Sequence, residues 1–207
     1  MSDRARALEP PGGWLEGPVR LPLSEPGGGV RSRDGWISWL IYRVAKFDAA
    51  NLFRLLATSP RLFFPWLWLA ARLNPYGSLP RADTEIVVLR VAWNCRCRYE
   101  WEHHVTLARG AGVELGEIER VPQGPEAEAW NPRRRALLAA ADELHASGRV
   151  GTATWEQLGA HFDRRQLLEL CMLIGSYEML AGVINSAGVP VDERVERQVV
   201  EILGEPA

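Results

Sequence analysis

Apolar residues recur three and four positions apart through most of this chain, the period of helices that bury one face. From Asp34 onward the spacing predicts helices over 36–46, 48–57, 60–73, 80–93, 97–111, 114–120, 132–146, 153–161, 164–186 and 191–203. Polar punctuation marks their ends. Ser59-Pro60 and Asn131-Pro132 put a capping side chain before a proline at the first helical position. Pro80 with Asp83 marks another start, with an acid in the first turn. Thr154-x-x-Gln157 and Asp163-x-x-Gln166 have capping-box spacing, and Gly112 and Gly188 stand where helices stop. The run Ile86-Val87-Val88-Leu89-Arg90-Val91 is β-branched enough for a strand. No second strand pattern exists to pair with it, so it is read as helix. The expected fold class is all-α, with no internal repeat.

The first thirty residues break this rhythm. Eleven of them are Gly or Pro, a composition that predicts a flexible arm over 1–33 ahead of a single all-α domain over 34–207. Trp14, Leu15, Val19, Leu21 and Leu23 would let such an arm fill grooves on a partner subunit.

Composition narrows the function classes. With 47% hydrophobic residues, 24% charged and a formal net charge of −2, the chain reads as a globular protein with no bias toward nucleic acid or an anionic membrane. Its basic triplet, Arg133-Arg134-Arg135, reads as a solvated face. Three cysteines cannot all pair, and no secretory pattern precedes them, so a cytoplasmic, reducing compartment is expected. The apolar run 62–71 is about half a membrane span and reads as a buried helix. Its Phe63, Phe64, Trp66 and Trp68 are expected in the core.

Reactive groups concentrate in Asn94-Cys95-Arg96-Cys97-Arg98-Tyr99-Glu100-Trp101-Glu102-His103-His104. If Cys97 opens a helix, His104 lies two turns on at nearly the same azimuth and Glu100 flanks that line, while His103 points away. A cysteine at a helix N-terminus is expected to have a lowered pKa, aided by Arg96 and Arg98 and opposed by an ionised Glu100. Read from the residues alone, Glu100 and His104 form an acid/base pair equally well, and Cys97 also reads as a small buried hydrophobe. Cys171 reads as core. A Cys95–Cys97 disulfide would close a short, strained loop. The C-x-C spacing is not that of a structural zinc site, so neither metal nor cofactor is expected. His145 and His161 stand isolated near helix ends.

The stretch Leu79–Trp93, followed by Cys97-Arg98-Tyr99-Glu100-Trp101-Glu102-His103-His104 and Leu107–Val113, resembles the carboxymuconolactone decarboxylase family, which includes the alkylhydroperoxidase D-like proteins. The resemblance spans residues 48–192, with Asn51–Arg54 and Gln166–Leu170 continuing it. It implies an alkylhydroperoxidase D-like helical bundle and a homo-oligomer. The peroxidase-like branch carries a glutamate, a C-x-x-C and a histidine. Glu85 matches the glutamate, Cys97 the first cysteine and His104 the histidine, but Glu100 stands where the second cysteine belongs.

The resemblance therefore implies a thiol-dependent peroxidase-like oxidoreductase, of antioxidant type, with a degenerate motif. Its catalytic residues would be Cys97, His104, Glu85 and Glu100, and its substrate a hydroperoxide. The alternatives are a cofactor-free decarboxylase, isomerase or hydrolase of a small carboxylic acid, with Arg90 and Arg98 as cationic holders, or a helical oligomer without chemistry. Neither a nucleic acid nor a membrane partner is expected.

Overall fold

The computed structural model describes residues 8–23 and 50–204. The helix expected over 36–46 lies outside the described residues. The elements are α1 (Ala50–Leu56), α2 (Pro60–Leu73), α3 (Arg81–Asn94), α4 (Arg98–Gly110), α5 (Leu115–Arg120), a single 3-10 turn (Val121–Gln123), α6 (Pro132–Ser147), α7 (Thr152–Gly159), α8 (Arg164–Ala187) and α9 (Glu193–Gly204). There is no strand among the described residues, and each helix lies within two residues of its expected bounds. The fold is all-α.

Helix α3 is the axis. Ile86, Leu89 and Trp93 pack into one core with α4, α5 and α9. Val87, Val88 and Val91 pack into a second core with α6, α7 and α8. A helix buried on both sides has no polar stripe, which is why its sequence resembled a strand. Burying each such side chain contributes about 1.5–3 kcal/mol, so α3 is a rigid base for whatever it carries.

Local signals were read correctly where the cap is local. The Asn131 side chain accepts from the Arg134 N–H at 2.9 Å, and Asp163 accepts from the Gln166 N–H at 2.8 Å. One box was misplaced. Helix α7 begins two residues before Thr154, at Thr152, and the Thr154 hydroxyl donates to Glu143 Oε1 at 2.6 Å. A half-buried acceptor on α6 outcompetes the local cap.

Two surface expectations are corrected. The basic triplet is not simply solvated: Arg133 and Arg134 both pair with the buried Asp83 at the start of α3, and Arg134 also pairs with Glu117. The aromatic run splits. Phe63 is buried, while Leu62, Phe64 and Trp68 are exposed, because α2 packs on the body along one side only.

Residues 8–23 hold no helix or strand and lie along their own chain. Trp14 packs within 5.8 Å of both Trp93 and Trp101. The Leu15 N–H donates to the Arg96 carbonyl, and the Arg96 side chain donates to the carbonyls of Gly12 and Gly13. Farther on, Pro18 crosses so near Gly188 that a Cβ there would sit 2.2 Å from the Pro18 carbonyl oxygen. With φ at +69°, position 188 suits glycine on both counts.

Candidate functional site

The turn joining α3 to α4 sets the site. Arg96 sits between the two cysteines with φ at +52°, a left-handed conformation uncommon for a residue with a side chain. Its bonds to the segment 12–15 fix that conformation. The turn sends Cys95 and Cys97 to different surroundings, and all three cysteines are free thiols.

Cys97 is the N-cap of α4 and is fully buried. The expectation of a lowered pKa fails. Burial, and then the nearby Glu100, push the Cys97 thiol well above its usual range, and the Glu100 backbone N–H only partly opposes this. The helix terminus is outweighed because the sulfur meets no positive charge: Arg96 is turned to the Gly12 and Gly13 carbonyls, and Arg98 to Glu16, Glu102 and Glu196.

Glu100 is 3% exposed, and among the described residues neither carboxyl oxygen has an oxygen or nitrogen partner. Burial raises its pKa strongly, and the Cys97 thiol is the group that pulls the other way. A carboxyl in that setting is held as the neutral acid.

Glu85 and His104 are brought together from adjacent helices. His104 Nδ1 lies 2.6 Å from Glu85 Oε2. The second Glu85 oxygen takes Arg81 Nη2 at 2.8 Å and Asn74 Nδ2 at 3.3 Å. Burial alone would raise the Glu85 pKa, but His104, Arg81 and Asn74 together hold it below the ordinary value. An ionised carboxylate only accepts, so Nδ1 carries the proton and Nε2 remains as the atom that can take one.

Tyr177 of α8 closes the site. Its ring meets His104 edge to face at 5.1 Å, and its hydroxyl accepts from Asn74 Nδ2 at 3.3 Å. Burial, then the charge of Glu85, keep that hydroxyl neutral.

The structure therefore forms two pairs, Glu85–His104 and Cys97–Glu100, where a single Cys97–Glu100–His104 line was expected. His103 turns away, as expected, to the Tyr99 carbonyl and Asp192. Arg90 and Arg98, the cationic holders of the alternative reading, are both engaged with acidic partners, Arg98 with Glu16, Glu102 and Glu196. Arg90 donates two hydrogen bonds to the Asp142 carboxylate and donates to the Val121 and Pro122 carbonyls. Among the described residues the cation at the site is Arg81, whose Nη1 is buried and has no partner among them. Arg81 precedes Glu85 by four residues, so the pair was legible in the sequence. Asn74 and Tyr177 come from distant segments and left no such signal.

A separate cavity of about 670 Å³ lies beside the N-terminal segment, lined by Leu15, Arg98, Tyr99, Asp192 and Glu196 among others. It includes none of Glu85, Cys97, Glu100 and His104.

Residues 60–143 match the carboxymuconolactone decarboxylase family. No curated protein matches the sequence. Among solved structures, the fold is similar to an alkylhydroperoxidase AhpD core, an uncharacterised peroxidase-related protein from Ralstonia eutropha JMP134. That match has 20% identity, covers 86% of this chain and 95% of the other, and has a TM-score of 0.71. An uncharacterised peroxidase-related protein from Silicibacter sp. TM1040 is 16% identical over 86% of this chain and 93% of the other, with a TM-score of 0.72. A cysteine variant of the debrominase Bmp8 in complex with 2,3,4-tribromopyrrole is 12% identical over 90% and 99%, with a TM-score of 0.71. At these identities the likeness is one of fold.

Proposed function

We propose that this chain, whose residues 60–143 match the carboxymuconolactone decarboxylase family, is a thiol-dependent, peroxidase-like oxidoreductase in which Cys97 is the reactive group. The observation that carries this reading is the buried Cys97–Glu100 pair. A buried carboxyl with no oxygen or nitrogen partner costs stability, about 1–3 kcal/mol, and adds nothing as packing. A thiol beside it is a pair of groups suited to moving a proton.

In the proposed reaction the Cys97 proton passes by way of its neighbour Glu100, one turn before His104 on the same helix, to His104 Nε2, whose tautomer Glu85 fixes. The sulfur bonds to the terminal oxygen of a hydroperoxide as the O–O bond breaks. The leaving alkoxide takes a proton from neutral Glu100, and the proton held on His104 restores that carboxyl. The hydroperoxide is reduced by two electrons to an alcohol, and Cys97 is oxidised by two electrons to a sulfenic acid. Glu100 stands where a resolving cysteine would be, so two equivalents of a small external thiol return Cys97 to its reduced form, the first forming a mixed disulfide with loss of water and the second releasing the thiol's own disulfide.

The direct test is treatment with an organic hydroperoxide, sulfenic-acid trapping and mass spectrometry. Label on Cys97 ahead of Cys171 is the expected result. Cys97 left as a thiol while Cys171 oxidises would defeat the reading.

A second reading rests on a different observation. Glu85 and Glu100 are pushed in opposite directions, one ionised and one neutral, as in acid/base sites. The unpartnered Nη1 of Arg81 would then hold a substrate carboxylate. Full activity of Cys97→Ser on a small carboxylated ring would favour this over thiol chemistry. The names of the neighbours, peroxidase-related and debrominase, span more than one chemistry, so substrate identity rests on such assays.

The assembly follows the family resemblance. A homo-oligomer would cover the exposed Phe64 and Trp68 of α2 and the exposed Leu168 and Met172 of α8.

A further inference from the structure

A second cluster of reactive groups stands beside the site and is not used by the proposed reaction. Cys95 Sγ lies 3.9 Å from His145 Nδ1. That nitrogen lies 3.1 Å from Glu178 Oε1, and the three ligand atoms are all within 4.8 Å of one another. They come from three elements: the turn after α3, the last turn of α6 and the middle of α8.

We propose that Cys95, His145 and Glu178 form a binding site for a zinc-type divalent cation. Three features carry this. The first is spacing. With metal–ligand bonds of about 2.0–2.3 Å, sulfur, nitrogen and oxygen ligands in a tetrahedron lie roughly 3.2–3.7 Å apart. The observed 3.9 and 3.1 Å bracket that range, so small rotations of three side chains seat an ion.

The second is donor chemistry. One thiolate, one imidazole and one carboxylate make a mixed set that suits zinc over magnesium or calcium, which take oxygen shells. The third is preorganisation. The Cys95 N–H is bonded to the Val91 carbonyl, and the Cys95 carbonyl accepts from Asn185 Nδ2 of α8 at 2.9 Å. The thiol is thus carried on backbone tied to the same helix that supplies Glu178. His145 is exposed and Cys95 and Glu178 are half-buried, which leaves the fourth position open to water or an incoming group. Binding exchanges the Cys95 thiol proton for the metal. This site shares no ligand with the Cys97 reaction and goes beyond it.

The test titrates the reduced full chain with Zn²⁺ and with Co²⁺, whose thiolate charge-transfer band reports sulfur ligation. The expected result is one ion per chain with that band. The band should be lost in Cys95→Ser, and affinity should fall more than about tenfold in His145→Asn and Glu178→Gln. Cys97→Ser should keep both band and affinity. His145 is exposed, so its variant tests the site without disturbing the core. Absence of the band, loss of the band in Cys97→Ser instead, or unchanged affinity in His145→Asn with its fold intact would overturn the proposal.

Discussion

At the residue scale, the site is defined by two carboxyls in opposite states, and this has a consequence for stability. Glu100 has a raised folded pKa, facing Cys97 on its own helix, Cys95 on the preceding turn and Tyr177 on α8. Below the ordinary glutamate value of 4.5 the group is protonated folded or unfolded, and nothing is lost. As pH rises past 4.5 the unfolded chain ionises and gains, so the fold pays a growing penalty. Glu100→Gln should therefore be more stable than wild type at pH 7 in urea melts, with the gain shrinking as pH falls toward 4. The same variant should be slower to form the Cys97 sulfenic acid. Equal destabilisation at both pH values would contradict the neutral-acid assignment. Glu85 runs the other way: its lowered pKa gives stability that is present above 4.5 and lost as pH falls through the folded value. Residue-level reading placed Cys97 and Glu100 together because both lie at the start of one helix. It missed the burial that reverses the effect of the helix terminus, since burial is a property of neighbours and not of spacing.

At the element scale, helix bounds were legible almost throughout because starts and stops are written in local chemistry, as at Asn131 and Asp163. What joins the elements was not. The triplet at the start of α6 looked like solvated charge because its partner, Asp83, is about fifty residues away. With Asp83 only 1% exposed and two guanidiniums turned to it, Asp83→Ala should destabilise the fold by about 3–5 kcal/mol, the cost of breaking a buried ion pair from one side. Chemical denaturation measures this directly. A loss under about 1 kcal/mol, the range of exposed pairs, would show that the contact is not the clasp between α3 and α6 inferred from its burial.

At the scale of the whole molecule, apolar residues of α2 and α8 are exposed among the described residues of a single chain. The proposed assembly predicts a light-scattering mass that is a multiple of 23.2 kDa. Trp68→Glu or Leu168→Glu, each at a well-exposed position, should bring it down to the mass of one chain without loss of helical content. A wild-type chain that is monomeric at micromolar concentration would remove the assembly reading. Periodicity could place these residues on helices. It could not say which faces stay open, because that depends on how many neighbours each helix finds in three dimensions.

Trp14, Trp93 and Trp101 stand with ring centres 5.6–5.8 Å apart, one from the N-terminal segment, one from α3 and one from α4. At that spacing the three indoles lie in one another's immediate surroundings, so unseating Trp14 should change the near-ultraviolet circular dichroism of the trio. The segment that supplies Trp14 also holds Arg96 in its left-handed turn between the two cysteines. The near-ultraviolet spectrum of this protein is thereby tied to the seating of its own N-terminal strap, and through that strap to the orientation of both thiols.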